Sequence, residues 1–168
     1  MPKPKHLRPV GPDFFEVAPY RTTRTAAVAA APAAVFAALA DDPAGWGEWF
    51  PGFTRTGRYL SAPFHGEGAE RSMRLGGVGL IETVILREEG TRWAFRVSQG
   101  NLPLVRAMAE DYRLAETPSG TALTWTLALD VAGPTRPTGA VVGTVAGSLV
   151  GVAARRLERR LQAAERRA

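Results

Sequence analysis

Cysteine is absent from this 168-residue chain, and only two histidines occur in it. The chain therefore contains no disulfide, no thiol nucleophile and no thiolate ligand for a metal ion. His6 and His65 lie far apart in the sequence, which argues against a histidine-rich metal centre. We expect neither a metal site nor a cofactor.

Long hydrophobic runs are also missing. No stretch approaches the roughly 18–20 consecutive apolar residues of a membrane-spanning helix. The first twelve residues lack the apolar core of a signal peptide, so we expect a cytoplasmic location. Residues 1–13 carry four prolines and scattered charge, which predicts a flexible N-terminal arm followed by a single domain over residues 14–168.

The body of the chain has no excess of positive or negative charge. The net charge is +5, yet residues 17–154 contain twelve arginines and twelve acidic residues, so the excess lies at the ends. Residues 155–167 contain six arginines against two glutamates. A neutral body argues against nucleic acid as a partner. We interpret the basic end as a solvated helix face, with contact to a membrane surface or acidic partner as the weaker alternative.

Apolar and polar residues alternate through the middle of the chain, which is typical of antiparallel strands. Strands are predicted within 20–30 and near 53–60, 67–75, 78–88, 91–99, 104–116 and 120–130. Helices are predicted from Pro32, across Trp46 and Trp49, and from about 138 to 165. This order predicts an α+β fold in which a curved antiparallel sheet of about seven strands wraps around a long C-terminal helix, with two short helices after the first strand.

Three short turns predict the strand register and therefore the inner face of the sheet. They are Gly76–Gly77, Glu89–Gly90 and Pro118–Ser119. Alternation from these turns predicts two inward sets. The first comprises Arg71, Met73, Leu75, Leu80, Glu82, Val84, Leu86, Trp93, Phe95 and Val97, with Arg87 outside. The second comprises Met108, Glu110, Tyr112, Leu114, Leu123, Trp125 and Leu127.

Four of these inward residues are polar. Arg71 and Glu82 fall opposite each other, as a buried ion pair or as an anchor for a polar group of a ligand. Because Glu82 faces an arginine, we expect it to stay ionised, and we expect Glu110 to be the easier of the two to protonate. Tyr112 is a core ring or an orienting hydroxyl, and Glu110 is a partner for an arginine or an acid/base group. With so few other proton-transfer groups, Glu110 and Tyr112 are the candidate catalytic residues.

The final helix contains glycine at every fourth position, from Gly139 to Gly151. Such spacing places the glycines on one helix face, where they leave room for a ligand or for close backbone approach. Val145 and Leu149 belong to the neighbouring apolar stripe. A membrane-embedded helix pair is the less favoured alternative, because arginines follow at once.

The element order and several motifs resemble the START-related helix-grip superfamily, and within it the polyketide cyclase/dehydrase-like branch. The motifs are Ala31–Leu39, Asp42–Pro43, Trp46–Gly52, Gly66–Gly68 with Arg71, Leu80–Val84 and Gly120–Trp125. The resemblance covers roughly residues 20–165. It implies either a ligand carrier or an aromatase/cyclase.

The sequence thus favours a binder or carrier of a hydrophobic small molecule, such as a lipid or polyketide-like compound, in a cavity between the sheet and the last helix. A cyclase or dehydratase acting on a bound intermediate is the alternative, and an interaction module ranks last. Either a monomer or a homodimer is compatible with the sequence. The predicted ligand-binding residues are Arg71, Met73, Glu82, Val84, Trp93, Phe95, Trp125, Val145 and Leu149.

Overall fold

The computed structural model describes residues 4–133 and 136–167, and in the last helix it describes side chains from Ser148 onward. The strands are β1 Lys5–His6, β2 Tyr20–Val28, β3 Arg58–Tyr59, β4 Glu70–Leu75, β5 Val78–Glu88, β6 Arg92–Gly100, β7 Val105–Thr117 and β8 Gly120–Val131. The helices are α1 Phe14–Val17, α2 Pro32–Ala40, α3 Trp46–Trp49 and α4 Arg136–Glu165.

The strands form one antiparallel sheet in the order β2-β8-β7-β6-β5-β4-β3, and β1 pairs with the end of β6. α2 and α3 follow the first long strand, and α4 packs against β2 and α3. This is the helix-grip α+β fold, so the predicted fold class is confirmed.

The β4–β5 turn has the predicted geometry. Gly76 has φ of 56°, a left-handed conformation that glycine adopts without steric cost. Leu75 therefore pairs with Val78, and Arg71 with Glu82. The β7–β8 hairpin also has the predicted register, which pairs Tyr112 with Trp125.

The β5–β6 hairpin differs from the prediction because β5 contains a bulge. Val84 pairs with Phe95 as expected, but Leu86 pairs with Ala94, which leaves Ile85 as an extra residue. The alternation of faces shifts beyond that point. Leu86 packs against the outer apolar cluster, and Arg87 reaches the ring of Phe36, so the predicted faces of both residues were wrong.

The predicted flexible arm is wrong for the described part of residues 1–13. β1 pairs with β6, and both Leu7 and Val10 are buried. Val10 joins Phe14 and Phe15 in covering the outer face of the sheet, where small side chains leave room for them. Those small residues are Ala94, Ala107, Ala109 and Ala128. The segment is held by apolar burial that its proline content does not reveal.

The second half of α4 faces the sheet with alternating large and small side chains. Val150, Ala153, Ala154 and Leu157 are buried, a spacing that keeps one helix face against the core. Leu149 is half-buried. Val145 and the first three glycines of the repeat lie outside the described side chains, so the interpretation of the glycine face stays a prediction.

Candidate functional site

The inner face of the sheet carries a fully buried ion pair between neighbouring strands. Arg71 Nε donates to Glu82 Oε2 at 2.5 Å, and Arg71 Nη1 donates to the Leu39 carbonyl at 3.2 Å. The guanidinium carbon lies 4.4–4.8 Å from the centres of the rings of Trp46, Trp93 and Phe95. The predicted pairing of Arg71 with Glu82 is confirmed, and aromatic faces complete the surroundings of the cation.

Burial changes the protonation of Glu82 in spite of its partner. Desolvation raises the pKa of Glu82 to about 7, while the charge of Arg71 opposes the rise and the charge of Glu110 adds to it. The sequence predicted that Glu82 would remain ionised because it faces an arginine. The structure differs because removing the carboxylate from water costs more than one hydrogen bond from a single arginine recovers.

A second polar group lies two strands away, on β7 and β8. The hydroxyl group of Tyr112 donates a hydrogen bond to Glu110 Oε2 at 2.5 Å, and Trp125 Nε1 donates one to the same oxygen at 2.8 Å. Burial raises the pKa of Glu110, and these two hydrogen bonds partly oppose the rise. Burial and the adjacent carboxylate raise the pKa of Tyr112 well above its usual value. The sequence predicted the inward direction of all three residues but not their mutual bonding.

Several buried polar atoms of the inner face have no hydrogen-bond partner within the protein. They are Arg71 Nη2, Glu82 Oε1, Trp49 Nε1 and Trp93 Nε1. A buried polar atom left without a partner costs about 1–3 kcal/mol, so these atoms favour the entry of a polar group. Three are donors and one is an acceptor or, when protonated, a donor.

A small cavity lies between the sheet and α4. Its volume is about 10 Å³, close to the space that one water molecule occupies. It is lined by Trp49, Phe50, Tyr112, Leu123, Trp125, Val150, Ala153, Ala154 and Leu157. Apart from the hydroxyl and indole N–H groups, this lining is apolar.

The cavity brings together only part of the predicted site. Tyr112 and Trp125 line it, and Glu110 is bonded to both. The other described members of the predicted set do not line it, since they are buried elsewhere in the core or, for Leu149, half-buried on α4. The buried ones are Arg71, Met73, Glu82, Val84, Trp93 and Phe95.

Sequence reasoning missed most of the cavity wall. Trp49, Phe50, Val150, Ala153 and Ala154 line the cavity, and none of them is among the predicted ligand-binding residues. The spacing of Val150, Ala153, Ala154 and Leu157 was the available signal, because it repeats with the period of a buried helix face. Alanine also occurs widely on exposed helix faces, so this spacing does not by itself distinguish a cavity wall.

The outer face of the sheet carries a polar groove of about 550 Å³ beside α1. Asp111 lies in it, buried and bonded to Arg92 and Arg113. The groove is lined by Phe15, Glu16, Arg21, Thr23, Asp111, Arg113, Thr124 and Thr126. Its polar lining makes it unsuited to an apolar ligand.

His65, the one histidine of the predicted domain, lies outside both cavities. Its ring stacks on Tyr59 with the centroids 3.9 Å apart, and its Nδ1 lies 3.1 Å from Asp41 Oδ1.

Among residues 4–133 and 136–167, no three side chains of the types His, Cys, Asp and Glu are grouped so that they could hold a metal ion. No helix in that same part of the chain is long and apolar enough to cross a bilayer.

The chain belongs to the family described as "Polyketide cyclase / dehydrase and lipid transport", which it matches over residues 19–164. The uncharacterized protein Rv2574 of Mycobacterium tuberculosis is 40% identical over 129 residues, which cover 76% of each chain. The predicted resemblance is therefore confirmed. Family and fold together indicate binding of a hydrophobic small molecule or a polyketide cyclase-like activity.

Two solved structures share the fold at low sequence identity. A START superfamily protein from Mycobacterium smegmatis is 19% identical, with a TM-score of 0.68 over 85% of this chain and 97% of its own. Ara h 8.0201 is 11% identical, with a TM-score of 0.66 over 86% and 98%. At such identities the likeness concerns the fold alone.

Proposed function

We propose that this protein carries a small apolar molecule, such as a lipid or a polyketide-like compound, between its sheet and α4. The observation that carries the proposal is the cavity wall. Aromatic rings on one side face Ala153 and Ala154 on the other, and the Tyr112 hydroxyl and the indole N–H groups are the polar side-chain groups of the described lining. Apolar walls with a few polar groups are typical of sites that bind apolar ligands.

The size of the cavity determines how such a ligand would enter. Typical ligand sites enclose about 300–1,000 Å³, far more than the roughly 10 Å³ of this cavity. A ligand would therefore have to displace α4 from β7 and β8. The short side chains of α4 favour this motion, because alanines lose less contact on separation than leucines do.

Binding can be tested by titrating the protein with Nile red, an uncharged hydrophobic fluorophore. We expect saturable binding at one site. Ala153→Leu should weaken it by at least about ten-fold, since the added carbons occupy the cavity and overpack its wall. Ala164→Leu is the matched control, because Ala164 is exposed on the same helix. Absence of saturable binding, or equal losses in the two variants, would contradict the proposal.

An enzyme is the second candidate, and the Glu110–Tyr112 pair favours it. Burial raises the pKa of the Glu110 carboxyl group, which makes it a better proton donor than an exposed carboxylate. Glu110→Gln should then keep the affinity for Nile red within about two-fold while lowering turnover of a polyketide-type substrate by about a hundred-fold. Measured turnover that survives this substitution would remove Glu110 from the mechanism. We favour the carrier, because Tyr112 is the one proton-transfer side chain among the described lining residues, and Glu110 is bonded to it without lining the cavity.

A further inference from the structure

The outward face of the second half of α4 carries a row of arginines. Arg166 is the first residue after α4, and its backbone N–H still bonds to the Gln162 carbonyl four residues earlier, at 3.2 Å. Residues of a helix turn by about 100° each, so Arg155, Arg159 and Arg166 fall within about 40° of one another. They point away from the buried face that contains Val150 and Leu157. Arg156 and Arg167 flank the row, and all five are exposed. We call these five residues the arginine stripe.

Two other charged side chains of α4 have partners, whereas the stripe forms no ion pair among the described residues. Arg160 donates to Asp42 at 2.5 Å and to Glu48 at 2.7 Å. Glu158 accepts the backbone N–H of Ala29 at 3.0 Å. Among the described residues, no acidic side chain forms an ion pair with any member of the stripe. No described ion pair therefore neutralises its five positive charges.

Like charges four residues apart, such as those of Arg155 and Arg159, repel each other on a helix surface. The row extends about 16 Å from Arg155 to Arg166 along a straight axis. A flat, anionic surface is the complement of such a row, because guanidinium groups pair with phosphate oxygens through two parallel hydrogen bonds.

We propose that the arginine stripe holds α4 flat against a bilayer that contains anionic lipids. The choice of a membrane rests on the proposed function, because a carrier of an apolar molecule must meet a lipid phase to load or release it. The stripe lies on the face of α4 that points away from the cavity. Contact with the bilayer would therefore affect the position of the same helix that closes the cavity. Residues 148–167 contain no aromatic side chain that could stack on a base, which favours lipid over single-stranded nucleic acid.

Co-sedimentation with vesicles tests the stripe. The full chain is mixed with phosphatidylcholine vesicles containing roughly one third phosphatidylglycerol, at near-physiological salt, and with pure phosphatidylcholine vesicles. We expect binding to the anionic vesicles only. Each arginine at such a surface contributes about five-fold in partition coefficient, so the triple variant R155Q/R159Q/R166Q should lose about a hundred-fold.

The matched control removes the same charge from scattered positions. R58Q/R74Q/R106Q replaces three exposed arginines of β3, β4 and β7 and should stay within about two-fold of the unmodified protein. Equal losses in the two triple variants, no binding to anionic vesicles, or tighter binding to a DNA duplex or an RNA hairpin than to vesicles would overturn the proposal. Because all six residues are exposed, circular dichroism should show both variants folded.

Nile red separates this inference from the proposed function. The R155Q/R159Q/R166Q variant should bind the fluorophore as the unmodified protein does, since the stripe lies outside the cavity. A protein that binds anionic vesicles through the stripe but does not bind Nile red would retain the membrane contact and contradict the carrier. A protein that binds Nile red but not the vesicles would contradict the membrane contact alone.

Discussion

Replacing Arg71 by methionine is expected to lower the free energy of unfolding by about 3–5 kcal/mol, because it leaves the carboxyl group of Glu82 buried without its cation. The substitution also removes the hydrogen bond to the Leu39 carbonyl and the contacts with three aromatic rings. Glu82 can respond by taking up a proton, so the loss should be smaller at pH 5 than at pH 8. Urea denaturation at the two pH values measures both effects.

Two further variants define what the Arg71 result means. Arg74→Met lies on the same strand at an exposed position, and we expect a change below about 0.5 kcal/mol. The double variant Arg71→Met/Glu82→Leu should recover much of the lost stability, because no buried charge remains. A single Arg71→Met variant as stable as the unmodified protein would show that the pair is not buried in solution.

The position of this pair could be predicted from the sequence because a turn fixes the register of the strands beside it. Gly76–Gly77 admits a two-residue connection, and alternation then places Arg71 opposite Glu82. The turn at Pro118–Ser119 placed Tyr112 opposite Trp125 in the same way. Local turn chemistry thus determined which polar side chains share the inner face.

The sequence did not reveal features that depend on tertiary contacts. The bulge at Ile85 has no marker such as glycine or proline, so the faces of Leu86 and Arg87 could not be inferred from alternation. The N-terminal segment is fixed by apolar residues that meet alanines of three distant strands. Pattern analysis of one segment cannot detect a surface that the other segments form.

Alternation also fails to predict how much space an inner face encloses. Trp93 and Phe95 point inward as predicted, but they pack against Trp46 and the Arg71 guanidinium instead of lining a cavity. α2 and α3 contribute the aromatic rings that fill the core around Trp93 and Phe95. The remaining space lies where α4 presents alanines, so the size of a side chain on the facing helix decides where a ligand could enter.

Stability should also depend on pH, and the pKa of Glu82 determines whether the unfolding free energy rises or falls with pH. Its pKa is 4.5 as a free side chain and about 7 in the folded protein, so the folded state binds the proton more tightly than the unfolded state does. The unfolding free energy is therefore highest below pH 4.5 as far as this group is concerned, and it falls as the pH rises through 7. The shift corresponds to a loss of about 3 kcal/mol across that window.

Glu110 contributes to this pH dependence with the same sign, because burial raises its pKa as well. Asp41, whose pKa is lowered from 3.8, acts only at more acidic pH and leaves the window unaffected. Glu82→Gln should therefore remove most of the fall in unfolding free energy between pH 4.5 and 7, and the Glu82→Gln/Glu110→Gln double variant should remove nearly all of it.

Chemical denaturation of the unmodified protein, these variants and the exposed control Glu116→Gln, in steps of pH, measures the slope directly. The control should retain the full fall in unfolding free energy. A stability that stays constant or rises with pH in the unmodified protein would mean that Arg71 keeps Glu82 ionised. The buried carboxylates would then act as fixed charges, and a raised pKa would no longer support Glu110 as a proton-transfer group. A fall that Glu82→Gln removes would instead establish a carboxyl group that titrates near neutral pH inside an aromatic core.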